Sequence, residues 1–146
     1  MLGGWQTSGV FQVQGGFPLI FNDNILFRGD TNSVALPADQ RTVDRWFNTS
    51  GFETSSTKQL SNNVRTAPRV FPNLRGQPLN QWDLSAIKDF AATEKVRFQL
   101  RGEFLNAFNH AQFSAPTVTP TNSTFGKITA QSNLPRNVQI GLKMIF

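Results

Sequence analysis

The sequence has no cysteine and no tyrosine, and it has a single histidine, His110. Without cysteine the chain forms no disulfide and offers no thiolate ligand to a metal ion. One imidazole needs several further ligands nearby, and no carboxylate cluster surrounds it. Asp39, Asp44 and Glu53 share one segment but lack the spacing of a calcium-binding loop. We therefore expect no metal and no cofactor.

Motifs that carry catalysis are also missing from the sequence. There is no nucleophile elbow to bring a serine beside the histidine, no phosphate-binding loop and no HExxH zinc motif. These absences argue against hydrolases of the common types and against nucleotide-dependent enzymes. We expect no catalytic residues, and hence a protein that is not an enzyme.

Long apolar runs are absent as well. No stretch approaches the ~18 apolar residues of a membrane-spanning helix. The first residues, MLGGWQTSGVF, have neither the basic start nor the apolar core of a signal peptide. Apolar residues make up 38% of the chain, and 11 Gly and 8 Pro supply many turn signals. This composition is typical of strands and loops rather than of helices.

Clusters of one charge are lacking too, although the net charge is +5. The lysines and arginines are scattered, with no basic run and no basic helix. A solvated surface explains this distribution, and we expect no nucleic-acid partner. A nucleic-acid binder remains the weakest alternative, and it rests on the sequence pI of about 10.5 alone.

What the sequence does contain is a regular alternation of apolar and polar residues in four segments. They lie near residues 5–14, 81–90, 95–105 and 136–146. A period of two is the pattern of a strand with one apolar face. A soluble antiparallel sheet with one buried face would show the same alternation, so the pattern alone leaves that alternative open.

Connections of very unequal length join the four segments. About five residues around AATEK separate the second from the third, a length suited to a hairpin. The other two connections, loops 15–80 and 106–134, are far longer than a compact soluble domain usually carries. Outer-membrane barrels combine short turns with long extracellular loops. We therefore predict an all-β fold of antiparallel strands from an outer-membrane β-barrel.

In the wall of such a barrel, one face of each strand meets lipid and the other meets a watery lumen. Lys88 interrupts the lipid face close to the turn, where we expect it to reach the headgroups. The predicted lipid-facing residues are Phe11, Leu84, Phe98, Leu100 and Phe104. The predicted lumen-facing residues, whose charges cost little in water, are Asp83, Arg97, Gln99, Arg101, Glu103, Gln139 and Lys143.

The longer loop is rich in aromatic residues, too many for a disordered tail. They are Phe17, Phe21, Phe27, Trp46, Phe47, Phe52 and Phe71. We expect this loop to fold over the barrel mouth, with short strands near Leu19–Phe27. Its arginines indicate a hydrated basic loop, with the gathering of an anionic ligand as the alternative. These are Arg28, Arg41, Arg45, Arg65, Arg69 and Arg75.

Five segments follow one another along the chain: GWQTSGVFQVQGGFPLIF, DQRTVDRWFNTSGF, VRTAPRVFPNLRGQPLNQWDLSAIKDF, VRFQLRGEFLNAFNHAQFSAP and LPRNVQIGLKMIF. In this order they resemble TonB-dependent outer-membrane receptors of the Oar-like group, which carry a carboxypeptidase-regulatory-like N-terminal domain. The resemblance implies that residues 1–146 are a C-terminal fragment of the barrel domain, supplying the last four strands of a 22-stranded barrel. It also implies that the plug and the signal region lie outside this chain.

The resemblance further implies a transporter that imports a bulky nutrient, such as an oligosaccharide or a peptide. The TonB energy-coupling complex would act through the missing N-terminal part. The barrel-assembly machinery would recognise the last strand through Ile140, Leu142, Met144 and Phe146. Outer-membrane lipid is the third expected partner, and the expected location is the bacterial outer membrane. The alternative function is a soluble β-rich surface binding module, an adhesin or a carbohydrate binder.

Overall fold

A computed structural model describes residues 3–62 and 64–146. The chain forms two compact units. The sheet unit comprises residues 1–14, 79–112 and 133–146. The loop unit comprises residues 15–78 and 113–132, so parts of both long loops fold together. Within the described ranges, no helix is long and apolar enough to cross a membrane, a finding that does not address crossing by strands.

The sheet unit contains four strands, β1 Trp5–Gln14, β2 Leu79–Ala91, β3 Arg97–Leu105 and β4 Asn137–Ile145. They form one sheet in the order β1-β2-β3-β4, and each neighbouring pair is antiparallel. This architecture confirms the prediction of an all-β, antiparallel fold.

One register carries the alternation across the whole sheet. Thr7 pairs with Ala86, Ala86 with Gly102, and Gly102 with Ile140. Because directly paired residues point to the same face, this row fixes the orientation of every other residue in the four strands. The face that includes this row also carries Trp5, Phe11, Val13, Trp82, Leu84, Phe90, Phe98, Leu100, Phe104, Val138, Leu142 and Met144.

The turn between β2 and β3 explains why β3 begins later than residue 95. The backbone N–H groups of Ala92 and Thr93 both donate to the carbonyl of Val96. The Thr93 hydroxyl in turn accepts from the backbone N–H groups of Lys95 and Val96. These bonds hold Lys95 and Val96 in the turn, so the first ladder pair of β3 is Arg97 with Ala91.

The loop unit has an apolar core of its own, built largely from phenylalanine. Phe21, Phe47 and Phe71 are at most 1% exposed. Phe21 meets Phe47 and Phe71 edge to face, with ring centroids 5.8 and 5.1 Å apart. Such geometry is favourable beyond the burial of area. Short 3-10 helices at Thr31–Ser33, Ala38–Gln40 and Ser56–Lys58 and isolated bridges complete the unit.

The short strands predicted near Leu19–Phe27 are wrong. The backbone N–H groups in this segment go to scattered acceptors: Leu19 donates to Leu74, Phe21 to Arg69 and Phe27 to the hydroxyl of Thr66. Because no two of these bonds continue one ladder, the structure has only single bridges at Pro18 and Phe27.

The two ends of the longer loop meet backbone to backbone. A Cβ atom on Gly16 would collide with the carbonyl group of Gly76, so glycine is required at this approach. The N–H of Gly76 donates to the carbonyl of Phe17 at 2.9 Å, and Arg75 Nη1 donates to the carbonyl of Gly16 at 2.9 Å. This close approach accounts for the glycine at position 16.

Replacing Phe21 with alanine is predicted to loosen the loop unit. The ring is fully buried, so its removal should cost about 3–5 kcal/mol of local stability. Hydrogen exchange of the detergent-solubilised protein should show lost protection at the bonded amides of residues 19–28. Phe17→Ala is the matched control, because that ring is 66% exposed. Equal loss of protection in both variants would contradict the aromatic core described here.

Candidate functional site: a sheet with two unlike faces

The five predicted lipid-facing residues lie on one face of the sheet. Leu84 pairs with Phe104 on β3, and Phe98 stacks on Phe90 with centroids 5.6 Å apart. Phe98 is half-buried, whereas the other four and the apolar side chains of β4 on the same face are exposed: Phe11 is 63%, Leu100 41% and Ile140 77% exposed. Such a continuous apolar face is unlike an ordinary soluble surface, on which exposed apolar residues are scattered singly. Apolar surroundings would stabilise such a face.

Aromatic residues mark both ends of the apolar face. At one end, Phe11 stacks on Trp82 at 5.0 Å, and Phe108 meets Trp82 edge to face at 5.8 Å. At the other end lie Trp5 and Phe90. Trp5 pairs with Lys88, which lies two residues before Phe90 on β2. Trp82 and Phe90 are eight positions apart on β2, or about 26 Å at ~3.3 Å per residue. Strands of outer-membrane barrels tilt by about 35–45°, so this length rises about 18–21 Å along the membrane normal, within the ~25 Å apolar band that aromatic girdles flank.

Lys88 is the one charged residue of the four strands on the apolar face. Its ammonium donates to the carbonyl of Gly3 and lies over the ring of Trp5, 5.3 Å from the centroid. The carbonyl and the ring face together stabilise a charge that apolar surroundings would penalise. The lysine therefore finds its partners within the protein at this end of β1 and β2, and a contact with headgroups stays a prediction.

The seven predicted lumen-facing residues lie on the opposite face. There Arg101 forms an ion pair with Glu103, and Gln99 Nε2 donates to Asp89 at 3.0 Å. Ser8 and Ser85 share a hydrogen bond of 2.7 Å between their hydroxyls. The same rows continue to Gln139 and Lys143 on β4 through the pairs Glu103 with Gln139 and Gln99 with Lys143. Polar groups thus bond to one another along a face suited to water.

Asp83, predicted only to face the lumen, also holds the end of β3. Its Oδ1 accepts from the backbone N–H of Asn106 at 2.8 Å, and Gln81 Nε2 donates to the same carboxylate. Asn106 is the residue that follows β3, and it adopts the left-handed conformation with φ 50°. Asparagine tolerates that conformation better than most residues.

The side chain of Asn106 links β3 to the segment before β4. It is 5% exposed. Its Nδ2 donates to the carbonyls of His110 and Leu134, both at 3.1 Å, and its Oδ1 accepts from the N–H of His110 at 2.9 Å. Three bonds to one buried amide satisfy it fully in practice. Sequence reasoning missed this role, because the only local signal is asparagine after a strand.

The residues expected to carry an assembly signal lie on and beside β4. Ile140, Leu142 and Met144 belong to the apolar face, and Phe146 follows the strand with 93% of its surface exposed. Their recognition by assembly machinery stays a prediction. No three His, Asp or Glu side chains of residues 3–62 and 64–146 are grouped closely enough to hold a metal ion.

Comparison with known protein families gives a match over most of the chain. A family model described as an outer membrane beta barrel domain covers residues 1–139, which include β1, β2 and β3 in full. No curated protein and no solved structure matches the chain significantly.

Asn106→Ala is predicted to detach the segment before β4 from β3. The change removes three hydrogen bonds made by a side chain that is 5% exposed, at a cost of about 1–3 kcal/mol. The midpoint of urea unfolding of the refolded protein in detergent should fall accordingly. Asn137→Ala, on an exposed side chain in β4, should leave the midpoint unchanged. A similar shift in both variants would refute the bridging role.

Proposed function

The chain belongs to the outer membrane beta barrel domain family and is a protein of the bacterial outer membrane, and from this premise we propose that it supplies wall strands of a TonB-dependent transporter. The whole transporter would import a bulky nutrient, an oligosaccharide or a peptide, through a 22-stranded barrel. Transport makes and breaks no bond in the nutrient, so the proposed role is not enzymatic.

The observation that carries this proposal is the sheet with an exposed apolar face and a hydrogen-bonded polar face. Lipid tails are the partner that matches an apolar surface of this size, and a watery lumen matches charges such as Arg101 and Glu103. We propose that the apolar face lies against the bilayer. The aromatic ends of the face would then lie near the two membrane surfaces.

The free edges of the sheet support the proposal of a larger barrel. Among the described residues, β1 pairs only with β2, and β4 only with β3. Unpaired backbone groups at both outer edges would be costly in hydrocarbon, and four strands are too few to close on themselves. Further strands of the same protein would pair with the outer edges of β1 and β4.

The lengths of the connections support an orientation. The turn between β2 and β3 spans residues 92–96, whereas the connections on the other side span residues 15–78 and 106–136. In outer-membrane barrels, turns are short on the periplasmic side and loops are long outside. We propose that the loop unit is extracellular. The TonB complex would act through a part of the protein outside this chain, and the assembly machinery would read β4.

Membrane fractionation tests the proposed role against a soluble binding module. The natural protein, produced in a Gram-negative host, should be recovered with the outer membrane and should need detergent to leave it. Its expression should also confer uptake of a fluorescent oligosaccharide or peptide that is lost when TonB is deleted. Uptake that survives loss of TonB would reject the transporter proposal while leaving the membrane location intact.

A pair of arginine substitutions on adjacent residues of β3 tests which face meets lipid. Leu100→Arg should reduce assembled barrel strongly, because an arginine facing lipid near mid-bilayer costs about 2–4 kcal/mol. Gln99→Arg, on the polar face beside Asp89, should be tolerated. Heat-modifiable mobility in gel electrophoresis measures the assembled fraction. If Gln99→Arg were the damaging change, the assignment of the faces would be reversed.

A further inference from the structure

A cleft in the loop unit lies between residues 21–25 and residues 65–69. Four polar side chains line it: Asn22, Asn24, Arg65 and Arg69. Its volume is about 420 Å³, and it is lined by two guanidinium groups and two carboxamides. All four can donate hydrogen bonds, and nothing acidic lines the cleft.

Both walls of the cleft are anchored in the core. Phe21 and Ile25 are fully buried, so residues 22–24 form a tip between two fixed points, with Asn22 and Asp23 exposed and Asn24 half-buried. Ala67, 5% exposed, anchors the opposite wall between the two arginines. The exposed polar side chains therefore project from backbone that core packing holds in place.

Hydrogen bonds tie one wall to the other. The N–H of Phe21 donates to the carbonyl of Arg69 at 2.9 Å, and the N–H of Thr66 donates to the carbonyl of Ile25 at 3.0 Å. Arg65 Nη1 donates to the carbonyl of Phe21 at 2.7 Å, which orients its guanidinium group. A ligand that binds here would have little backbone to order, and this lowers the entropic cost of binding.

The two positive charges have no acidic partner. The ion pair of Arg101 with Glu103, in the sheet unit, is the only one within residues 3–62 and 64–146. Asp23, at the tip between the two asparagines, therefore pairs with neither arginine. All the N–H donors of the Arg69 guanidinium group are available to a ligand. Those of Arg65 are available too, except on Nη1, which donates to Phe21.

We propose that this arginine cleft binds an oxyanion, a carboxylate, sulfate or phosphate group carried by the ligand. Guanidinium groups match the geometry of such anions and bind them by charge-assisted hydrogen bonds, and the carboxamides add neutral donors. Resting on the proposed function, the inference narrows the nutrient to an acidic one, such as an oligosaccharide that bears uronate groups.

Binding to the detergent-solubilised natural protein, measured by titration calorimetry, tests the cleft. Polygalacturonate should bind, and neutral dextran should not. Arg69→Gln should weaken polygalacturonate binding about tenfold, the loss expected for one charge-assisted contact. Arg65→Lys, which keeps the charge and loses the planar fork, should weaken it severalfold.

Arg28→Gln is the matched control, because it removes the same charge from an exposed position of the loop unit outside the cleft. It should change the affinity less than twofold. If Arg28→Gln and Arg69→Gln weakened binding equally, diffuse attraction to a basic surface would explain the result and the cleft would be rejected. Comparable affinity for dextran would also reject it.

Two further measurements address two separate questions: which molecule carries the anion, and whether the protein transports it. Lipopolysaccharide presents phosphate on a surface lipid. Tighter Arg69-dependent binding of lipopolysaccharide than of polygalacturonate would overturn the assignment to a nutrient. Uptake of labelled oligogalacturonate by producing cells tests transport separately. Binding that needs Arg69, without any uptake, would support the cleft and reject the transporter role.

Discussion

A single register across β1, β2, β3 and β4 is the constraint on which the rest of the sheet depends. With the row from Thr7 through Ala86 and Gly102 to Ile140 in this register, most large apolar side chains of the four strands lie on one face. The exceptions are Val10, Leu79, Ile87, Leu105 and Ile145. A slip of one residue in any strand would turn its apolar side chains toward the charged face and its charges toward the apolar face. The Thr93 turn and the Asn106 bridge both act at strand ends, where such slips would begin.

The same residue type serves two opposite purposes in this chain. Phe21, Phe47 and Phe71 pack edge to face inside the loop unit, as in any water-soluble core. Phe11 and Phe98, in contrast, lie on the apolar face of the sheet, where Phe11 is 63% exposed and Phe98 is half-buried. A chain with 14 phenylalanines and 38% apolar residues can support both arrangements, because the sheet unit needs no interior of its own when lipid covers it. The modest apolar content thus reflects two environments within one sequence.

Alternation predicted the antiparallel strands, because a period of two is a local property that the sheet preserves, and which face meets lipid stays a prediction. Alternation did not predict features that depend on contacts between residues far apart in the sequence. The bridge from Asn106 to Leu134 joins residues that the sequence places in one featureless loop. Leu19–Phe27 has the apolar content of strands, yet its amides go to residues 66, 69 and 74, which only the folded core brings near. Arg65 and Arg69 likewise line one cleft because Ala67, between them in the sequence, is buried in the folded core.

The close approach of Gly16 to Gly76 has a consequence for how such proteins diversify. Because residues 16 and 76 lie backbone to backbone, the segment 15–78 joins β1 to β2 with its two ends as close together as those of a short hairpin connection. The entropic cost of joining two strands rises only slowly with the length of what joins them. Changes in the sequence or length of residues 17–75 can therefore leave the pairing of β1 with β2 intact, provided that they keep the packing of this segment with residues 113–132 in the loop unit.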